Sequence, residues 1–194
     1  MAKKSTHNTR GRIVSAAWKL FYEQGYEDTT VEEIIELSGT SKGSFYHYFD
    51  GKDALLSTLS SLFDEKYEEL TGLLTPEMTA MEQLLFLNRE LFHMIEDSIS
   101  LDLLARLYST QLTTNGEKHL LDHNRIYYKL LRKIIAKGQA EGQLSSRSNV
   151  NEMVKLYALC ERALLYDWCL CAGEYALTEY SAKVLPGFLS SFLP

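Results

Sequence analysis

Apolar residues recur at helical spacing along nearly the whole chain, and nowhere do they sustain the two-residue alternation of a strand. That pattern restricts the chain to an all-α fold. Ile13, Ala16, Ala17, Leu20 and Phe21 form one stripe of a first helix, which Gly25 stops. Thr30 and Glu33 stand at capping-box spacing and open a short second helix, with Val31, Ile34 and Ile35 facing inward. Ser38-Gly39-Thr40 breaks it, because Gly39 tolerates the positive φ of a tight turn. Thr40 or Ser41 then caps a third short helix holding Phe45, with Phe49 one turn on. Asp50 is expected to cap a fourth helix running from about Lys52 to Leu74.

Thr75-Pro76 reads as a further helix start, continued by Met81, Leu84, Leu85, Leu91, Phe92 and Ile95. More helices are expected over roughly 99–112, 117–140, 149–171 and 175–192, with Asn115-Gly116, the polar stretch 141–148 and Ala172-Gly173 between them. Pro186 is expected to kink or divide the last one. The 149–171 segment has two apolar faces. Val154, Tyr157, Ala158, Leu165 and Trp168 make one, while Met153, Leu156, Cys160 and Ala163 make the other. The final helix offers Leu177, Tyr180, Val184, Phe188 and Phe192, with Leu185 and Leu189 beside them. Helices apolar on more than one side need two partners. The protein's own body supplies one; a second copy, paired through these last two helices, supplies the other.

Two short helices joined by a glycine turn, after a longer supporting helix, form a helix-turn-helix, which can place its second helix in the major groove. The net charge of −6 argues against DNA binding only until its distribution is considered. Residues 1–22 carry Lys3, Lys4, Arg10, Arg12 and Lys19 and no acid, and residues 37–49 carry Lys42 and no acid. Residues 56–194 carry 18 acids against 13 bases. A basic arm and an acid-free patch on an acidic body suit a localised phosphate contact.

The residue pattern is more specific than the spacing. Arg12-Ile13, Ala16-Ala17, Leu20-Phe21, Gly25-Tyr26, Thr29-Thr30-Val31, Ile34, the run from Ser38 to Phe49 and Lys52-Asp53-Ala54-Leu55 resemble the N-terminal domain of the TetR family of one-component regulators. The resemblance covers about the first quarter of the chain. It implies an N-terminal three-helix helix-turn-helix domain over 1–52 and a larger helical ligand-binding and dimerisation domain over 53–194. It implies that Lys42, Gly43, Ser44, Tyr46 and His47 lie on the recognition helix, where family members contact bases and phosphates. Tyr46 and Tyr48 can offer hydroxyls to phosphate oxygens, and Thr29 and Thr30 can present donors at the start of the second helix. Lys52 would meet the backbone on the far side. Phe45, Phe49, Ile34 and Leu20 are core residues.

The middle helices would enclose a ligand site, as they do in proteins this one resembles. Phe86, Arg89, His93, Tyr108, Gln111, Tyr127, Tyr128, Glu161 and Trp168 mix aromatic walls with a few polar anchors, and all are candidates to line it. The expected function is a transcriptional repressor, released from palindromic double-stranded operator DNA by a small molecule. A regulator without a dissociable effector, an activator, and a helical protein–protein adaptor are the rival readings.

Other features point away from further chemistry. His119 and His123 stand at i and i+4, where one helical face could clamp a metal, but no third ligand is evident and no metal is expected. Cys160, Cys169 and Cys171 are too few and too clustered for a disulfide framework, and read as small apolar side chains. There is no Gly-rich phosphate loop, nucleophile elbow or catalytic acid pair, so neither an enzyme nor a cofactor is expected. No apolar run approaches the 18 or so residues of a membrane span, and no apolar core follows the basic N-terminus. A cytoplasmic, membrane-free protein is the expectation.

Overall fold

A computed structural model describes residues 3–113 and 118–194, with side chains from residue 9 onward. Lys3 and Lys4 of the basic arm, and the Asn115-Gly116 break, therefore lie outside the described residues or side chains. The fold is all-α, with no strand among the described residues.

The chain forms two compact units. The first comprises residues 1–61 and 102–116, the second 62–101 and 117–194. The first unit thus extends past residue 52 and takes in a segment far along the chain. It contains α1 (Lys3–Gln24), α2 (Val31–Ser38), α3 (Lys42–Tyr48), α4 (Lys52–Leu56) and nearly all of α7 (Leu101–Thr113). Ile13, Ala17, Phe21, Ile34, Phe45 and Leu55 make its core, each at most 1% exposed. Phe49 is buried with them, whereas Leu20 is half-buried.

The helix expected from 52 to 74 is two helices. A serine-threonine cluster interrupts it: the Thr58 hydroxyl donates to the Leu55 carbonyl at 2.6 Å and Ser57 Oγ to Ala54 O at 2.7 Å. The backbone there makes i→i−3 bonds, from Thr58 N to Leu55 O and from Ser61 N to Thr58 O. Hydroxyls that bond back to the main chain compete with the α-helical ladder in this way. The indole N–H of Trp18 then donates to Thr58 Oγ1 at 2.8 Å, fixing the break against α1. α4 starts at Gly51 rather than Asp50, with no side-chain cap.

The second unit contains nearly all of α5 (Leu59–Thr71), with α6 (Ala80–Ser98), α8 (Ile126–Ala140), α9 (Val150–Leu170) and α10 (Leu177–Leu189). α6 packs between α8 and α10, and α9 lies against both of those. α6 begins four residues later than Thr75-Pro76 suggested. Thr79 caps it and Glu82 closes the capping box, with Thr79 N donating to Glu82 Oε2 at 2.8 Å. Glu96 caps α10, accepting from the Leu177 and Thr178 backbone N–H groups. α10 runs unbroken through Pro186, because only its last turn follows the proline. His119 does not share an α-helical face with His123: residues 119–121 form a 3-10 turn, and His123 lies beyond it with its ring 4.7 Å from that of Tyr128. Among the described residues no helix is long and apolar enough to cross a membrane.

Candidate nucleic-acid interface and ligand site

α2 and α3 are joined by a three-residue turn, and Gly39 takes φ 60° there, a left-handed conformation that costs a Cβ-bearing residue. Ser41 caps α3 by accepting from the Ser44 N–H at 3.1 Å. Phe45 is fully buried and anchors the helix, so its neighbours in sequence point outward. Lys42, Gly43, Tyr46 and His47 are exposed. The Lys42 ammonium is 3.4 Å from Glu32 Oε1, a pair in which both side chains are about 70% exposed (68% and 70%). Such pairs contribute about 0–1 kcal/mol, so Lys42 can exchange this partner for a phosphate or a base at little cost. Arg10 stacks over the Phe49 ring at 5.5 Å, bringing a second positive charge close to the end of α3.

Gly43 has no steric reason inside the protein to be glycine. A Cβ there would find only Ser41 Oγ, at 4.0 Å. Glycine is unfavourable in a helix by about 1 kcal/mol relative to alanine. Ser44 is half-buried and shares a hydrogen bond with Ser41 at 2.9 Å. Tyr48 is half-buried, with the His47 ring edge-on at 4.8 Å.

The other expected contacts are committed elsewhere. Thr29 is 1% exposed and its hydroxyl donates to Gly25 O at 2.7 Å. The Thr30 N–H and hydroxyl both bond Glu33 Oε2, which lowers the Glu33 pKa. The Lys52 ammonium donates to three carbonyls, of Tyr26 at 2.6 Å, Thr29 at 2.9 Å and Glu27 at 3.2 Å. It also lies 4.3 Å from the Tyr26 ring centroid. The charge expected to face DNA instead closes the loop between α1 and α2. Tyr26 donates its hydroxyl to Asp53, and the Arg106 guanidinium covers its ring at 4.9 Å while pairing with Glu27 and Asp102. Burial and the hydrogen bond to Asp53 push the Tyr26 pKa well up. Nothing in the local sequence signals a lysine bound by carbonyls 23 to 26 residues away.

The candidate ligand residues of the second unit are not gathered in one place. Tyr108 and Gln111 are half-buried on α7 in the first unit. His93 is exposed and lies 3.4 Å from Asp97. Tyr127, Tyr128, Glu161 and Trp168 are buried in the second unit. The Trp168 indole donates to Tyr175 O at 2.9 Å.

Glu161 is the centre of a buried polar network. Its carboxylate accepts from the Tyr127 hydroxyl at 2.6 Å and from Asn88 Nδ2 at 2.9 Å, while Asn88 Oδ1 accepts from Ser181. The Tyr157 hydroxyl, fully buried alongside, donates to Leu84 O at 2.8 Å. Burial raises the Glu161 pKa, and the hydrogen bonds from Tyr127 and Asn88 offset part of that rise. Sequence reasoning missed Asn88 and Ser181. The available signal was an asparagine inside the apolar stripe of Leu84, Leu87 and Leu91. Cys160 is buried and its thiol pushed up to about 11, whereas Cys169 and Cys171 are half-exposed.

Phe86 and Arg89 line a groove of about 660 Å³ between α6 and α10, together with Met78, Leu85, Ala182 and Pro186, and Asn88 and Ser181 of the network border it too.

Residues 13–59 match the profile of the bacterial regulatory proteins of the tetR family. The HTH-type transcriptional regulator TtgR of Pseudomonas putida is 34% identical over 68 residues, 35% of this chain and 32% of that protein. QacR of Staphylococcus aureus is 36% identical over 62 residues, 32% of this chain and 33% of QacR. These matches span about a third of each relative's length. The Thermus thermophilus repressor FadR, solved in complex with lauroyl-CoA, superposes with a TM-score of 0.76 at 26% identity over 95% of both chains. The helix-turn-helix with its exposed α3 face and these likenesses agree: residues 13–59 form a helix-turn-helix domain of the tetR family type, and the whole chain shares the fold of the Thermus repressor.

Proposed function

We propose that the protein is a cytoplasmic, homodimeric transcriptional repressor that leaves a palindromic operator when a small molecule binds its second unit. The observation that carries the DNA reading is Gly43. No internal neighbour requires a glycine there, whereas a duplex held close to the α3 backbone would. Lys42, Gly43, Ser44, Tyr46, His47 and Tyr48 are the proposed contact set. Lys42 and His47 reach furthest and are the candidates for base edges. Thr29, Thr30 and Lys52 hold the α1–α2 loop and the start of α2 in place, and so position α3. On this reading DNA recognition belongs to residues 1–52, and ligand binding and dimerisation to 53–194.

Homodimerisation is supported by apolar surface on the last two helices. Leu159, Tyr166 and Leu170 are exposed on α9 at 52%, 45% and 66%, at helical spacing with the exposed Ala163, and Tyr180 is 43% exposed on α10. Two-fold pairing buries such a surface on both copies at once. It also mirrors a palindromic operator. A ligand that favours the wrong spacing of two reading heads shifts the equilibrium by its differential affinity for the two states. The lauroyl-CoA bound by the Thermus relative supports a small-molecule ligand. Titration of the DNA upstream of the gene, with a scrambled duplex as control, tests the reading. Equal affinity for both duplexes at physiological salt would sink it.

A further inference from the structure

Pro186, for which the regulator reading has no use, faces the groove between α6 and α10. Proline has no backbone N–H, so the carbonyl of Ala182, four residues earlier in α10, lacks its ordinary helical donor. Ala182 and Pro186 both line that groove, one helical turn apart on α10. The floor adds Asn88, 3% exposed, whose Oδ1 accepts from the fully buried Ser181 and keeps a second lone pair. At the rim stand Glu77 and Glu82, both held ionised by hydrogen bonds from Thr75 and Thr79 respectively. The one cation of the lining, Arg89, already gives two N–H groups to Glu90, at 2.8 and 3.0 Å, and covers the Phe86 ring. Met78, Leu85 and Phe86 supply apolar wall.

The groove therefore offers acceptors and negative charge around an apolar cleft, which suits a ligand with N–H donors and a positive charge. We infer that it is a binding site for an amphiphile bearing a protonated primary amine, whose N–H groups reach the Ala182 carbonyl and Asn88 Oδ1 while its apolar body lies along Leu85 and Phe86. The regulator reading supplies only the biological purpose of such a site. An anionic head would meet the charges of Glu77 and Glu82, and would have to draw Arg89 away from Glu90. A quaternary ammonium would keep the charge but lose the donors.

Calorimetric titration of the full-length protein with octylammonium, octyltrimethylammonium and octanoate separates these cases. Octylammonium should bind saturably, one per chain, and the other two at least about tenfold more weakly, as expected for loss of charge-assisted hydrogen bonds. Pro186→Ala restores an N–H to the Ala182 carbonyl. It should raise the melting temperature and weaken octylammonium about tenfold. Ala182→Trp, at an exposed position on α10, fills the groove and should abolish binding. The proposal is overturned if octylammonium does not saturate the wild type, if either control binds as tightly, or if both variants bind it unchanged. Operator binding by the ligand-free protein reports separately on the regulator reading, so the two can fail independently.

Discussion

Replacing Lys52 by methionine keeps the apolar stem and removes only the ammonium. The structure assigns that ammonium three carbonyl partners, on Tyr26, Glu27 and Thr29, and the face of the Tyr26 ring. A hydrogen bond from a charged donor contributes about 1.5–3 kcal/mol, but three sharing one ammonium are not additive. Lys52 is half-buried, so water can reach some of the vacated carbonyls. Together with about 0.5–1 kcal/mol of cation–π attraction, the loss should be about 2–4 kcal/mol in the first unit. For a chain of this size that is a fall in melting temperature of roughly 5–12 °C. Urea unfolding followed by Trp18 fluorescence in a Trp168→Phe background reads the first unit, because the Trp18 indole is tied to Thr58 within it. Operator titrations at several salt concentrations read the alternative. A lysine that neutralised a phosphate would lower the salt slope by about 1 on removal, whereas a lysine sealed onto carbonyls should leave it unchanged in the folded fraction. Wild-type stability combined with a slope reduced by about 1 would refute the reasoning.

Gly43→Ala should leave stability unchanged or raise it by up to about 1 kcal/mol, yet weaken operator and random duplexes alike. Unaltered gel-shift affinity would remove the argument from Gly43. Lys42→Ala should cost roughly 1–3 kcal/mol on the operator if it reads a base, and much less on scrambled DNA in the same titration. Glu161 has a raised pKa in the fold, so its contribution is fully present below the ordinary carboxylate range and is lost as pH rises through the raised value. Glu161→Gln should therefore gain melting temperature relative to wild type at pH 8 and lose that advantage toward pH 4; the opposite trend would contradict the assigned direction. Charging the apolar surface of α9 and α10 with Tyr166→Glu and Phe188→Glu should yield folded monomers by light scattering, and a persistent dimer would place the interface elsewhere.

The parts of this protein legible in its sequence are those set by neighbours within one helical turn or one short loop. The Thr30–Glu33 box, the Gly39 turn, the Ser41 cap and the buried Phe45 are all local, and the outward face of α3 follows from them. What sequence reading misplaced depends on partners far along the chain. The Lys52 ammonium is claimed by carbonyls more than 20 residues away, and Thr29 is buried by the fold. The break at Ser57-Thr58 was hidden by an apolar period that continues across it, although the hydroxyl cluster was a usable warning. Exposed Leu159 and Tyr166 escaped the facial assignment of α9, because periodicity finds apolar stripes without saying which one the body covers. The ligand candidates scattered because aromatic residues on helices pack, stack or face water according to which helix arrives opposite them.

The first compact unit is discontinuous in sequence, and that bears on how the protein can be recombined. Residues 102–113 belong to it together with the N-terminal helices, and Arg106 on that segment covers Tyr26 and pairs with Glu27. The helix-turn-helix unit is therefore not a detachable module. A chimera cut once after residue 61, joining this head to another sensor, would inherit Tyr26, Glu27 and Asp53 without Arg106 and with an alien helix at the buried positions of Leu103, Leu104 and Leu107. Exchange of operator specificity between relatives should succeed by replacing α3 surface residues, or by moving both sequence blocks together, and should fail by simple fusion.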